Sequence, residues 1–204
     1  MNNKKNKGEL VRIFAVKRER SEFINEYMFF DSDDNFLFYK SFILNNYKSN
    51  ETELLIELME LSIKIDYHNG LFFKHLWGLF KNKKFWYRLA FMDYTFSLRT
   101  KIEKNLYRSV NEAVVKQVSN FEIKFQACIN LYAEDISYDG ELFHLISLAN
   151  AEANHYALYR VAVFLNNSME FEGKQVFKKK FRKLLESNDS PLPNSQRKEI
   201  LSSI

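Results

Sequence analysis

The sequence predicts an all-α protein, a single helical bundle of six to eight helices. Only five Gly and two Pro punctuate 204 residues, which leaves long uninterrupted segments. Apolar residues recur through those segments at three- and four-residue intervals, the period of a helix buried along one stripe. Twenty Phe and eleven Tyr raise the hydrophobic share to 46%. That composition excludes wholesale disorder, and a chain of this length buries about 70% of its unfolded surface.

The elements follow in chain order. Glu9–Val16 is short and apolar, and periodicity alone leaves helix and strand open there. Ser32-Asp33-Asp34 offers N-caps for a helix over 34–47. Asn50 begins a capping-box-like start with Glu53 at the third helical position. The helix behind it carries Leu54, Leu55, Leu58, Leu61 and Ile65 at helical spacing, and His68-Asn69-Gly70 supplies a stop. A short helix fits 71–80. Asn82 caps a longer one with Phe85, Leu89, Met92 and Phe96 on its stripe. NLYRSVNEAVVKQV either continues that helix or forms its own. Ser119-Asn120 caps the helix FEIKFQACINLYAED. Ser137 or Asp139 starts a long helix over 141–166. Gly173 precedes a basic amphipathic helix, KQVFKKKFRKLLES, and the chain ends in a loop and a loose tail. No low-complexity tract and no clean internal repeat stands out.

The formal net charge of +4 is unevenly spread. Residues 1–20 carry seven basic and two acidic side chains and residues 174–204 carry eight and three, which leaves −6 for the middle. This divides the chain into a basic N-terminal segment (1–20), a helical bundle (21–172) and a basic helix with its tail (173–204). Basic ends suit solubility, or contact with RNA or DNA, an acidic protein or a membrane surface. The C-terminal cations Lys178, Lys179, Lys180, Arg182 and Lys183 are the candidates for such contact, through phosphates and without sequence reading. Cys128 is the only cysteine. No intramolecular disulfide can form and no cysteine-based zinc site exists, which suits a reducing, cytoplasmic setting. The opening residues do not read as a secretory signal, and no window is long and apolar enough for a membrane span. Gly-rich phosphate loops and dinucleotide fingerprints are absent.

The sharpest chemical feature lies in LANAEANHYALYR (148–160). At 100° per residue, Glu141, His144, Leu148, Glu152, His155 and Tyr159 fall on one face of the expected helix. A carboxylate on a mostly apolar helix needs a partner. A hydrogen-bonded Glu–His pair satisfies that need, and so does metal ligation. Carboxylate oxygen and imidazole nitrogen suit iron or manganese, and three-residue spacing lets both reach one point.

That stretch resembles the last metal-binding helix of ferritin-like di-iron carboxylate proteins, most closely the tRNA-hydroxylase branch. Glu152, Ala153, His155, Tyr156 and Tyr159 carry the resemblance, which covers residues 119–164. The resemblance implies a four-helix core and a further Glu from the preceding helix, matched by Glu122. Reading backward at similar spacing gives Asp93 and Glu60. Phe96 stands where the family has its second His. The implied activity is a metal-carboxylate oxidase or hydroxylase with Glu152, His155, Glu122, Asp93 and Glu60 as ligands. Glu141, His144 and Tyr159 would then sit behind those ligands or at the entrance. The alternatives are a non-enzymatic helical interaction protein, such as an antidote, inhibitor or accessory subunit, and a nucleic-acid-associated factor using the basic C-terminal helix.

Overall fold

A computed structural model describes residues 6–26, 35–168 and 170–204. The described chain is all-α, as its composition requires. Among the described residues there are twelve α-helices rather than six to eight, because the helix expected over 141–166 is two and because Lys17–Glu26 and Asn194–Ser202 are also helical. The helices run from nine to fourteen residues. They fall into two compact units, residues 1–103 and 104–204.

The first unit contains α1 (Lys7–Ala15), α2 (Lys17–Glu26), α3 (Phe36–Asn46), α4 (Thr52–Lys64), α5 (Gly70–Leu79) and α6 (Phe85–Ser97). A 3-10 turn over Phe80–Asn82 links the last two. The stretch left open between helix and strand is α1. Asn6 caps it by accepting from the Glu9 amide, and Glu9 caps the Asn6 amide in return. The N-cap expected at Ser32–Asp34 lies outside the described residues. Asn50 does not cap α4; Glu51 holds that position without a side-chain bond. Nor does α4 run on to Asn69. It closes at Ile65, and Asn69 instead caps α5 by accepting from the amides of Leu71 and Phe72. Lys84, not Asn82, precedes α6.

Packing in this unit follows a simple order. α1 packs on α2, α3 on α4, and α5 on α6 through Phe72–Tyr94 and Phe73–Phe91 ring contacts. The second helices also stack on each other, α2 on α4 and α4 on α6. Three helical hairpins therefore lie side by side, the arrangement of α-solenoid repeats. A buried ion pair joins the first two hairpins. Arg20, 8% exposed, donates from Nε to Glu57 Oε2 at 2.6 Å and from Nη1 to the Phe14 carbonyl. Ser21 donates to the other Glu57 oxygen. The carboxylate thus has partners on both sides, as a buried charge requires.

The second unit repeats the plan with α7 (Lys104–Gln117), α8 (Phe121–Glu134), α9 (Asp139–Ala151), α10 (His155–Asn167), α11 (Lys174–Glu186) and α12 (Asn194–Ser202). α7 packs on α8, α9 on α10 and α11 on α12, while α8 meets α10 and α10 meets α12. The expected loose tail is α12, anchored by fully buried Ile200. A ladder of buried amides joins α7 and α8. Gln126 donates to Asn130, Asn130 to Asn111 at 2.9 Å, and Asn111 to the Tyr107 carbonyl. The Tyr107 hydroxyl donates back to the Asn130 carbonyl.

Outside the ladder, Arg108 grips Glu134 through Nε at 2.7 Å and Nη2 at 3.1 Å. Burial alone would push the Glu134 carboxyl up, but hydrogen bonds from Arg108 and Lys104 outweigh it and hold it below the ordinary value of 4.5. A depressed folded value means stability that is present above about pH 4.5 and lost as pH falls through the folded value. Urea melts at stepped pH should therefore show stability falling on the acid side of pH 4.5, and Glu134→Gln should flatten that fall. An unchanged acid slope in the variant would contradict this assignment.

Candidate functional site

The helix expected over 141–166 is two helices, and the break falls between Glu152 and His155. Glu152 is the C-cap of α9 and exposed. Ala153 turns the backbone left-handed at φ 49°. Its amide donates to the Asn150 carbonyl and the Asn154 amide to the Ala149 carbonyl, both at 2.9 Å. This paired closure usually has glycine at the left-handed position. Asn154 then caps α10, its Oδ1 accepting from the Ala157 amide at 3.1 Å. The break had a signal in Asn154, but the alanines around it suit a continuous helix equally well.

The consequence for the Glu-x-x-His pattern is direct. Glu152 ends one helix and His155 begins the next, so the shared-face geometry expected of them does not form. His155 Nε2 lies 3.2 Å from Glu199 Oε2 of α12, and its ring lies over Tyr159 with centroids 6.2 Å apart. Glu122, in the first turn of α8, lies 3.7 Å from Arg160 Nε. Its hydrogen bond with the Tyr156 hydroxyl pushes that phenol up. In the first unit, Glu60 is half-buried on α4. Burial raises its carboxyl, Lys64 one turn on lowers it, and Glu57 raises it. Asp93 is exposed on α6. Within either unit, no group of three or more His, Cys, Asp or Glu among the described residues can hold a metal ion. The Glu152–His155 pair is therefore divided between the end of α9 and the start of α10.

Glu141 and His144 remain three residues apart on α9, a different helix from His155 and Tyr159. With Ser137, Tyr138 and Gly140 they line a shallow groove of about 360 Å³. The nearby Cys128 thiol is buried, and that burial pushes it up to about 12. Burial of this kind disfavours the thiolate, the form that reacts.

The five C-terminal cations lie on α11, which buries Phe177, Phe181 and Leu185. Lys179 and Lys183 are exposed and Lys178 is half-buried. Lys180 pairs with Asp139 at 2.8 Å, and Arg182 donates to the Ile204 carbonyl. Two of the five are thus tied to the protein itself. Gly173, ahead of this helix, has φ 82° and lies under Tyr132, where a Cβ would come within 2.8 Å of the hydroxyl oxygen. No helix among the described residues is long and apolar enough to cross a membrane.

Residues 67–92 contain Lys74, Lys81, Lys83, Lys84 and Arg88 and no Asp or Glu. That stretch is the hairpin α5–α6, and it carries Trp86 at 70% exposure. No family model, curated protein or solved structure matches this chain.

The break can be tested by a substitution whose sign depends on it. Glycine relieves a left-handed alanine, so Ala153→Gly should stabilise the protein by about 1 kcal/mol in urea or thermal melts. In an unbroken helix the same change would destabilise by about 1 kcal/mol, and that result would contradict the turn.

Proposed function

We propose that this chain is a non-enzymatic helical interaction protein, acting as an antidote, inhibitor or accessory subunit through its exterior. One observation carries the reading: each unit is a side-by-side stack of three short hairpins. Such stacks present an extended array of helix faces, which suits binding a macromolecule more than enclosing a small substrate. Three of the residues expected as metal ligands have other partners or positions. Glu152 ends a helix, His155 faces Glu199, and Glu122 meets Arg160 and Tyr156. The metal-carboxylate oxidase needs the first two to converge from one helix.

Contact with RNA or DNA through α11 is a narrower form of the same proposal. Lys178, Lys179 and Lys183 are the cations best placed for it, since no carboxylate among the described residues pairs with them.

Gentle purification from the native host, followed by metal analysis and native mass spectrometry, separates the readings. The interaction protein should emerge with a stoichiometric macromolecular partner and only trace iron or manganese. Glu152→Ala and His155→Ala should leave both results unchanged. One equivalent of iron or manganese per chain, lost in His155→Ala, would overturn the proposal in favour of the oxidase.

A further inference from the structure

We propose that the α5–α6 hairpin of the first unit is a binding platform for single-stranded nucleic acid, with Trp86 as its stacking surface. The inference rests on the interaction reading and names a partner class for it. The argument begins with charge. Five cations and no carboxylate occur between Asp66 and Asp93. None of the five forms an ion pair with a carboxylate among the described residues. Lys83 donates from Nζ to the Asn50 carbonyl at 2.6 Å and to Thr52 Oγ1 at 3.0 Å. Arg88 donates to the carbonyls of Phe80 and Lys81, at 3.0 and 2.7 Å. All these acceptors are neutral, and the bonds fix the connection between the helices.

The same bonds make the platform firm. Arg88 closes the 3-10 turn, Lys83 ties it to the start of α4, and the Tyr87 hydroxyl donates to the Leu76 carbonyl at 2.8 Å. Trp86 and Tyr87 are neighbours in the first turn of α6, but Tyr87 is fully buried and Trp86 is 70% exposed. The indole rests edge-on against Phe85, with centroids 4.9 Å apart. Its exposed neighbours in sequence, Lys81, Asn82 and Lys84, are polar or cationic.

An exposed indole, with exposed Lys81 and Lys84 close to it in sequence, matches what an unpaired base and its phosphates require. Stacking uses the indole face, and the lysines meet the backbone without reading sequence. Duplex DNA hides its base faces, so the platform should prefer single strands. Membrane-surface binding needs a contiguous apolar face. The hairpin exposes two large apolar side chains, Leu71 and Trp86, one on each helix, and its cations outnumber them, which disfavours a bilayer.

The test uses the full chain, fluorescein-labelled oligouridine of about twenty nucleotides, the matching duplex, and vesicles of phosphatidylserine and phosphatidylcholine. Oligouridine should bind at low salt and quench tryptophan emission, more tightly than duplex or vesicles. Trp86→Ala should weaken it about tenfold or more, while Trp86→Phe retains part of the affinity. Lys81→Gln with Lys84→Gln should make the salt dependence shallower by about 1.4 units of logarithmic slope. Circular dichroism melts of each variant should match the parent. No oligouridine binding, unaltered affinity in a folded Trp86→Ala protein, or binding to vesicles alone would overturn the platform. Capture of a protein partner that survives Trp86→Ala would leave the interaction reading standing and remove only this assignment. Absence of both would remove both.

Discussion

Short helices that must turn back after three or four turns are the constraint on which this structure depends. Two of the turns use one device. At Asp66 and at Ala153 a non-glycine residue takes the left-handed conformation, and paired backbone bonds close the helix behind it. An alanine in that conformation costs about 1–2 kcal/mol. The return helix offsets the cost by burying Ala157, Leu158, Val161, Ala162 and Leu165. With each helix cut short, no single hairpin can bury its apolar stripe alone. Stacking the second helices on one another completes the burial, in α2–α4–α6 and again in α8–α10–α12.

Buried polar groups then fix which surfaces meet. The Arg20–Glu57 pair ties α2 to α4, and the Asn111–Asn130–Gln126 ladder ties α7 to α8. Apolar contacts alone tolerate sliding between helices. A carboxylate or amide left unmatched in the interior does not, because its desolvation goes uncompensated. These groups therefore set register, and they were absent from the sequence reading because polar residues on an apolar helix carry no label for their partner.

The all-α class was legible because it needs only period and the scarcity of Gly and Pro. Caps with local chemistry were legible too: Asn120 and Gly173 stand where expected. The turn at 152–154 was not, because Ala149, Ala153 and Ala157 continue a helical stripe through it without Gly or Pro. The regular spacing of Glu60, Asp93, Glu122 and Glu152 has a second reading. α2, α4 and α6 begin 35 and 33 residues apart, and α8 and α10 begin 34 apart. Helical-hairpin repeats have periods of this size, so Glu60 and Asp93, each the ninth residue of its helix, recur at that interval, whereas Glu122 lies in the first turn of α8 and Glu152 at the C-cap of α9. The repeat was invisible as sequence because its units share length and packing, not residues.

On the proposed interaction reading, helix faces and the connections between helices make the contacts, and Trp86 is an exposed aromatic residue there. Everything said of the candidate metal motif turns on whether the chain reverses at Ala153. Spin labels at Glu141 and Asn167, both exposed, measure this directly by electron–electron dipolar spectroscopy. A hairpin of α9 and α10 predicts a separation below about 25 Å. A separation of ~39 Å, the length of an unbroken helix at about 1.5 Å per residue, would contradict the account.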